Sequence, residues 1–300
     1  MSANNPSIRE AFLEASSFLE HQGVAEANHC AELLLCHLLD CSRSELFLRW
    51  QDPFPSALKG RWGELLRRKA QGEPVQYLIG ETEFYGLPFA VGPAVLIPRP
   101  ETELLVERIL QIGRLFWARD GNNPPVLADI GTGSGAIAVT IAVHCPHWLV
   151  YASDLSDPAL EMARHNAVKN RVEGRIRFLS GDLVEPYAAR GLNPDILVSN
   201  PPYIPTGDLP GLQREVKDFE PRSALDGGDD GLFFYRRLVK ETRRLEKRPR
   251  LIGFEVGLGQ AEVVAGLLRE EGAWPGIEIV RDLAGIQRHV IGLADDLLDC

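Results

Sequence analysis

The chain has 300 residues and a formal net charge of −10, with 45% hydrophobic and 25% charged residues. That is ordinary globular usage, with room for one large domain or two moderate ones. The acid excess argues against a globally basic surface that would grip a phosphate backbone, and no apolar run is long enough to span a membrane. Met1 to Glu10 shows neither the basic-then-apolar order of a secretory signal nor the Arg- and Ser-rich character of an organelle transit peptide. The five cysteines, Cys30, Cys36, Cys41, Cys145 and Cys300, are odd in number and irregularly spaced. They do not suggest a disulfide framework and fit a reducing, cytoplasmic setting.

The first part of the chain, residues 1–74, reads as a small helical bundle. Ala27, Ala31, Leu34, Leu35 and Leu38 recur at helical spacing, and Leu58, Trp62, Leu65 and Leu66 repeat it after Pro55. His29, Cys30, Cys36, His37 and Cys41 crowd this stretch. There is no C-x-x-C pair, the segment reads as a buried helix, free cysteine is a common core residue, and no metal is expected. Arg67, Arg68 and Lys69 form a short basic strip, expected to be a solvated helix face.

The character changes near Pro74. Val75 to Ile79 and Phe84 to Val91 are rich in β-branched and aromatic residues and are punctuated by Gly80, Gly86 and Gly92. They predict a β-hairpin linker over 75–98. Pro98 and Pro100 then stop the strand, and Glu101 or Thr102 starts a helix running to about Phe116.

From Val126 onward strand and helix alternate. Val126–Asp129, Leu149–Asp154, Ile176–Ser180, Asp195–Ser199 and Leu251–Glu255 are the strand candidates. This pattern predicts an α/β, Rossmann-like domain over 99–300 with a mostly parallel sheet. Ile277–Arg281 and His289–Ile291, separated by Ala284-Gly285, predict an antiparallel pair at the end of the sheet.

Two segments carry chemistry. Asp129-Ile130-Gly131-Thr132-Gly133-Ser134-Gly135-Ala136 follows an apolar strand and opens a helix. Its glycines let the backbone turn tightly and approach a ligand, and a helix start favours an anion. No Gly-Lys-Ser/Thr follows, which excludes a P-loop. Gly133-Ser134-Gly135-Ala136-Ile137-Ala138 fits a dinucleotide fingerprint, with Asp154 ending the next strand as a ribose-binding acid. S-adenosylmethionine asks for nearly the same parts, with its carboxylate on the glycine loop and its ribose diol on Asp154. The loop alone does not choose between the two.

The second segment, Asn200-Pro201-Pro202-Tyr203, sits just past the strand Asp195–Ser199, where ligands bind in open parallel sheets. Two prolines hold the turn rigid and extended. The Asn200 carboxamide oxygen and the Pro201 carbonyl can each accept an N–H from one –NH2 group and aim its lone pair. Tyr203 offers a flat wall. Hydride transfer has no need of this arrangement.

Asn-Pro-Pro-Tyr after the fourth strand is similar to the motif of amino-group methyltransferases, which act on adenine bases or on protein glutamines. Nearly the whole chain resembles the second group, the release-factor glutamine methyltransferases of the PrmC/HemK family. The segments that match are Pro74-Val75-Gln76-Tyr77, Glu83-Phe84-Tyr85-Gly86, Ile97-Pro98-Arg99-Pro100-Glu101-Thr102-Glu103, the glycine loop, and Ser199-Asn200-Pro201-Pro202-Tyr203-Ile204. Glu220-Pro221, Ala224-Leu225, Gly227-Gly228, Asp230-Gly231-Leu232, and Glu255-Val256-Gly257 with Gln260 complete them. The proline-flanked Arg99 to Glu101 segment separates this family from the DNA enzymes.

The resemblance implies a class I methyltransferase domain and S-adenosylmethionine as methyl donor, with S-adenosylhomocysteine as product. It implies that Gly131, Thr132, Gly133, Ser134 and Gly135 hold the cofactor with Asp154 on its ribose. Asp182 and Leu183 would lie beside adenine, where leucine gives apolar contact without stacking. Asn200, Pro201, Pro202 and Tyr203 would hold a glutamine from the Gly-Gly-Gln loop of a release factor, with Asn200 also bordering the cofactor. The helical domain would hold the body of that protein. The rival readings are a nucleic-acid adenine methyltransferase, which would need a basic recognition surface and a flipped base, and a non-enzymatic interaction protein that keeps the fold.

Overall fold

The computed structural model describes residues 5–117 and 124–298; Cys300 lies outside them. The chain divides into two compact units, one reaching to Glu81 and including Gln213–Phe219, the other made of Thr82–Leu212 with the chain from Glu220 onward.

The first unit is helical: α1 Ile8–His21, α2 Ala27–Leu39, α3 Arg43–Leu48, α4 Lys59–Ala70 and α5 Val75–Ile79. Capping boxes start α1 and α3, with Ser7 and Ser42 each exchanging hydrogen bonds with a glutamate three residues on. Ile8, Leu19, Leu34, Leu35, Leu46 and Phe54 pack at its centre with little or no exposure. Two expectations change here. Val75–Ile79 is a helix and not the first strand of a hairpin: Pro74 precedes it, Gly80 ends it at φ 83°, and it buries Val75, Tyr77 and Leu78. Packing within the unit overrides the β-propensity of its residues. The basic strip is also not a uniformly solvated face. Arg67 is exposed, but Arg68 pairs with Glu73 and the Lys69 side chain is only 1% exposed, paired with Glu215. Lys69 lies one turn after the buried Leu65, on the inward side of α4.

Apart from Glu81, the hairpin of β1 Glu81–Phe84 and β2 Leu87–Ala90 opens the second unit. Tyr85 and Gly86 turn it with φ of 53° and 72°, the two positive values of a type I′ turn. Helix α6, Pro100–Trp117, starts with proline at its first position, where a missing N–H does no harm. Then follow β3 Val126–Ile130, α7 Ala136–His144, β4 Leu149–Asp154, α8 Asp157–Lys169, β5 Ile176–Ser180, α9 Glu185–Ala188 and β6 Ile196–Ser199. Helix α10, Arg214–Phe219, belongs to the first unit, and the second resumes with α11 Phe233–Glu241, β7 Leu251–Glu255, α12 Ala261–Glu271, β8 Gly276–Arg281 and β9 Gln287–Leu293.

Seven strands form one sheet in the order β5-β4-β3-β6-β7-β9-β8. The first five are parallel and β9 runs antiparallel to both neighbours. This is the mostly parallel α/β architecture with a terminal antiparallel pair that the sequence predicts. Strands β3, β6 and β7 are buried along nearly all their length, as strands covered on both faces must be. One apolar cluster holds Leu105, Ile109, Ile137, Ile141 and Val150, and another holds Tyr235, Leu238, Val264, Leu268 and Trp274.

Candidate active site

Strands β3 and β6 are neighbours, but the chain leaves β3 toward β4 and β5 on one side and passes from β6 to β7 on the other. Such a reversal opens a crevice past the carboxyl ends of the two strands. Asp129 pairs with Val198, so the glycine loop and Asn200 emerge side by side. The Ser199 hydroxyl donates to the Ile130 carbonyl at 2.6 Å just beneath both loops. The cleft above them measures about 740 Å³, a size that suits a small-molecule site. Gly131, Thr132, Gly133, Ser134, Asp154, Asp182, Leu183, Asn200, Pro201 and Pro202 line it.

The glycine loop is built from its own backbone. Gly131 and Thr132 N–H both donate to the Ser153 carbonyl at 2.9 Å, and Gly133 N–H donates to Asp154 Oδ2 at 2.9 Å. These amides are therefore committed to β4, and the attraction for an anion falls to the start of α7. Asp129 sits beneath the loop, fully buried, with Oδ2 accepting from the Thr132 hydroxyl at 2.6 Å and Ala138 N–H at 3.1 Å. Burial pushes its carboxyl up to about 7. Gly135 is not on the cleft wall. It sits at φ 82°, and an added Cβ would lie 3.1 Å from that of Ala163, so this glycine serves the close approach of α7 and α8.

Asp154 presents its carboxylate at the end of β4. Besides Gly133 it accepts Ser156 N–H at 2.9 Å, and lone pairs remain on both oxygens for hydroxyl donors. Burial raises its pKa against these hydrogen bonds. Asp182 reaches the cleft with its carboxylate held by Arg237, at 2.7 and 3.2 Å. Leu183 lines the cleft in a left-handed conformation, φ 49°, which is uncommon for a branched side chain.

Asn200 is partly buried at the end of β6. Its Nδ2 donates to the Thr102 hydroxyl at 3.3 Å, and that hydroxyl donates to Glu255 Oε2 at 2.5 Å. Glu255 is 2% exposed. Burial pushes its carboxyl up to about 7, against the pull of Thr102 and Asn200. Tyr203 is not on the cleft wall: its ring lies beside Gly257, and burial, with Glu255 nearby, raises its hydroxyl to about 12. Its backbone is gripped from below. Gln260 Nε2 donates to the Tyr203 carbonyl at 2.9 Å while Gln260 Oε1 accepts Gly257 N–H at 2.9 Å.

Several residues around the site carry no role in a reading of motifs. Thr102, Glu255, Gln260, Gly227 and Gly231 support the Asn200–Tyr203 turn. Arg99, on the cleft wall, pairs with the buried Glu220 at 2.6 and 2.8 Å, joining two matching segments across 121 residues. Asn166 donates to the Ser134 carbonyl at 2.8 Å and exchanges two hydrogen bonds with Ala90, linking the glycine loop to β2. A signal for it exists in the sequence: a polar residue on the apolar face formed by Ala159, Leu160, Ala163 and Ala167.

This strand order and a cleft of this make define a class I, Rossmann-like methyltransferase domain. Solved structures share the fold: the human Mettl16 catalytic domain in complex with a MAT2A 3′UTR hairpin has a TM-score of 0.53 at 18% identity, over 71% of this chain and 77% of that one. The human methyltransferase 10 domain containing protein gives 0.52 at 18%, over 70% and 89%. Residues 10–80 match the family described as PrmC N-terminal domain, and residues 102–209 match that described as Methyltransferase small domain. The release factor glutamine methyltransferase of Bacillus anthracis is 39% identical over 94% of this chain and 98% of its own. That of Moorella thermoacetica is 42% identical over 94% and 96%, and that of Bacillus subtilis 39% over 95% and 97%. The chain belongs to the release factor glutamine methyltransferase family.

Proposed function

We propose that this enzyme transfers a methyl group from S-adenosylmethionine to the side-chain amide nitrogen of the glutamine in the Gly-Gly-Gln loop of a peptide-chain release factor. The observation that carries this reading is the turn at Asn200 and Pro201, two acceptors fixed beside the glycine loop at the switch point of the sheet, in a chain of this family. The cleft suits the cofactor: it offers carboxylates at Asp154 and Asp182, apolar contact at Leu183, Ile137 and Ala159, and a helix start at Ala136. We assign Gly131, Thr132, Gly133, Ser134, Asp154, Asp182 and Leu183 to holding it, with Asn200 at its border and Gly135 setting the packing of α7 behind the loop. When bound, the cofactor supplies an electrophilic methyl group on sulfur.

A glutamine amide is a weak nucleophile, because its lone pair is delocalised into the carbonyl. Asn200 Oδ1 and the Pro201 carbonyl would accept its two N–H groups and aim the nitrogen. Such alignment alone supplies roughly 7–11 kcal/mol. As the nitrogen gives up electron density its protons become more acidic, so both hydrogen bonds strengthen toward the transition state. Tyr203, whose ring lies off the cleft beside Gly257, is assigned to anchoring the end of the turn, with its carbonyl held by Gln260. The helical unit is assigned to the body of the release factor, by analogy with the family. A cytoplasmic location goes with this substrate, and no helix among the described residues is long and apolar enough to cross a membrane.

The test is incubation of the enzyme with labelled S-adenosylmethionine and a purified release factor, with DNA and RNA in parallel. Label is expected on the release factor alone. Label on nucleic acid and none on protein would favour an adenine methyltransferase.

A further inference from the structure

We propose that the Glu255 carboxylate, acting through the Thr102 hydroxyl, fixes which way round the Asn200 carboxamide faces, so that its oxygen and not its –NH2 is offered to the acceptor. The proposal rests on Asn200 as the group that holds the acceptor amide.

A hydroxyl has one proton to give. Thr102 gives its proton to Glu255 Oε2 at 2.5 Å. Toward Asn200, at 3.3 Å, it therefore has only lone pairs. The Asn200 atom facing Thr102 must then be the –NH2, and the carboxamide oxygen is turned the other way. A protonated Glu255 reverses this chain: its own O–H donates to Thr102, Thr102 donates to Asn200, and the carboxamide turns its oxygen inward. The –NH2 would then face the acceptor amide, a donor opposed to a donor. Glu255 is thus a positioning residue that acts without touching substrate.

The surroundings allow that switch near neutral pH. Burial is the main influence raising Glu255, to about 7. From α6 come Glu101, whose charge raises it further, and Thr102, which lowers it. From β9 come Arg288, which lowers it, and His289, its cross-strand neighbour, which burial keeps neutral down to about 4. Asn200 lowers it from the end of β6. From α11 the Tyr235 hydroxyl donates to the Glu255 backbone carbonyl at 2.7 Å, and Tyr203, raised to about 12, stays neutral.

The experiment measures turnover with a purified release factor at saturating S-adenosylmethionine, between about pH 6 and about pH 9. It compares wild type, Glu255→Gln, Thr102→Ser, Thr102→Val and Asn200→Ala, with cofactor affinity by calorimetry for each. Wild type and Thr102→Ser are expected to lose turnover on the acid side with a midpoint near neutrality. Glu255→Gln keeps the shape without the titration, so it loses about tenfold at the alkaline end and is then flat. Thr102→Val breaks the chain and loses at least about tenfold throughout. Cofactor affinity stays near wild type in the Glu255 and Thr102 variants, which also confirms their folding. An acid limb that persists unchanged in Glu255→Gln, or wild-type turnover in Thr102→Val, overturns the proposal. Wild-type turnover in Asn200→Ala would instead overturn the role of Asn200 on which it rests.

Discussion

Gln260 holds the Tyr203 carbonyl at 2.9 Å from a point 57 residues further along the chain. The turn from Asn200 to Tyr203 is thereby fixed from beneath, by a side chain that does not line the cleft. Gly231 completes the support, since a Cβ there would run into the Tyr203 carbonyl oxygen and meet Gln260 Nε2 at 2.5 Å. Its φ of 72° also disfavours a side chain. Gly231→Ala is expected to displace the turn and lower turnover by about 10², the loss that follows from a misplacement of roughly 1 Å. Gln260→Ala is expected to lose about tenfold. Steady-state kinetics checks both, and unchanged turnover in Gly231→Ala would remove the buttress from the account.

Asp154 shapes the glycine loop and faces the cleft. Asp154→Ala is expected to weaken S-adenosylmethionine binding roughly 10- to 150-fold, from the loss of charge-assisted hydrogen bonds. Calorimetry measures this directly. Unchanged affinity would remove the ribose role, and binding of NADH by the wild type would point to a dehydrogenase.

Asn200→Ala is expected to reduce turnover by at least about 10²–10³, since the acceptor loses a preorganised partner. Asn200→Asp is expected to fail as well. It would face the Thr102–Glu255 pair with a second carboxylate where Nδ2 now donates, and like charges at a buried site repel. Cofactor affinity should change far less than turnover in both. A folded Asn200→Asp enzyme with near wild-type turnover would contradict the geometry drawn here.

Glu255 also links stability to pH. Its folded pKa, about 7, lies above its ordinary 4.5. Over that window the folded state holds a proton that the unfolded state has lost, so this group's contribution to stability falls as pH rises. Glu255→Gln removes the term. Its Tm relative to wild type should therefore rise between about pH 5 and about pH 8, by an amount on the order of 3 kcal/mol or roughly 5 °C. Asp129, raised for the same reason, is present in both proteins and drops out of the difference. Thermal unfolding at the two pH values is the check, and a difference that shrinks with pH would contradict it.

The strand–helix alternation after Val126 was legible because each element announces itself locally. Strands β4, β5 and β7 begin and end where their apolar runs do. The glycine loop and the Asn200 turn were legible as motifs placed after strands. Helix α5 was not, because its Val, Tyr and Ile residues favour a strand while Pro74, Gly80 and packing decide otherwise. Lys69 reads as solvent-facing in the sequence because its partner Glu215 lies 146 residues away. Thr102 and Glu255 meet across 153 residues, and no local pattern marks such a pair. Only the sheet order, with Ser199 opposite Phe254, brings the end of β7 beside Asn200.

The most direct measurement is mass-spectrometric mapping of a release factor after incubation with the enzyme and S-adenosylmethionine. We predict one added methyl group, on the side-chain amide nitrogen of the glutamine in the Gly-Gly-Gln loop, and none when that glutamine is replaced. An unmodified loop, or equal methylation of the replaced variant, would contradict the assignment.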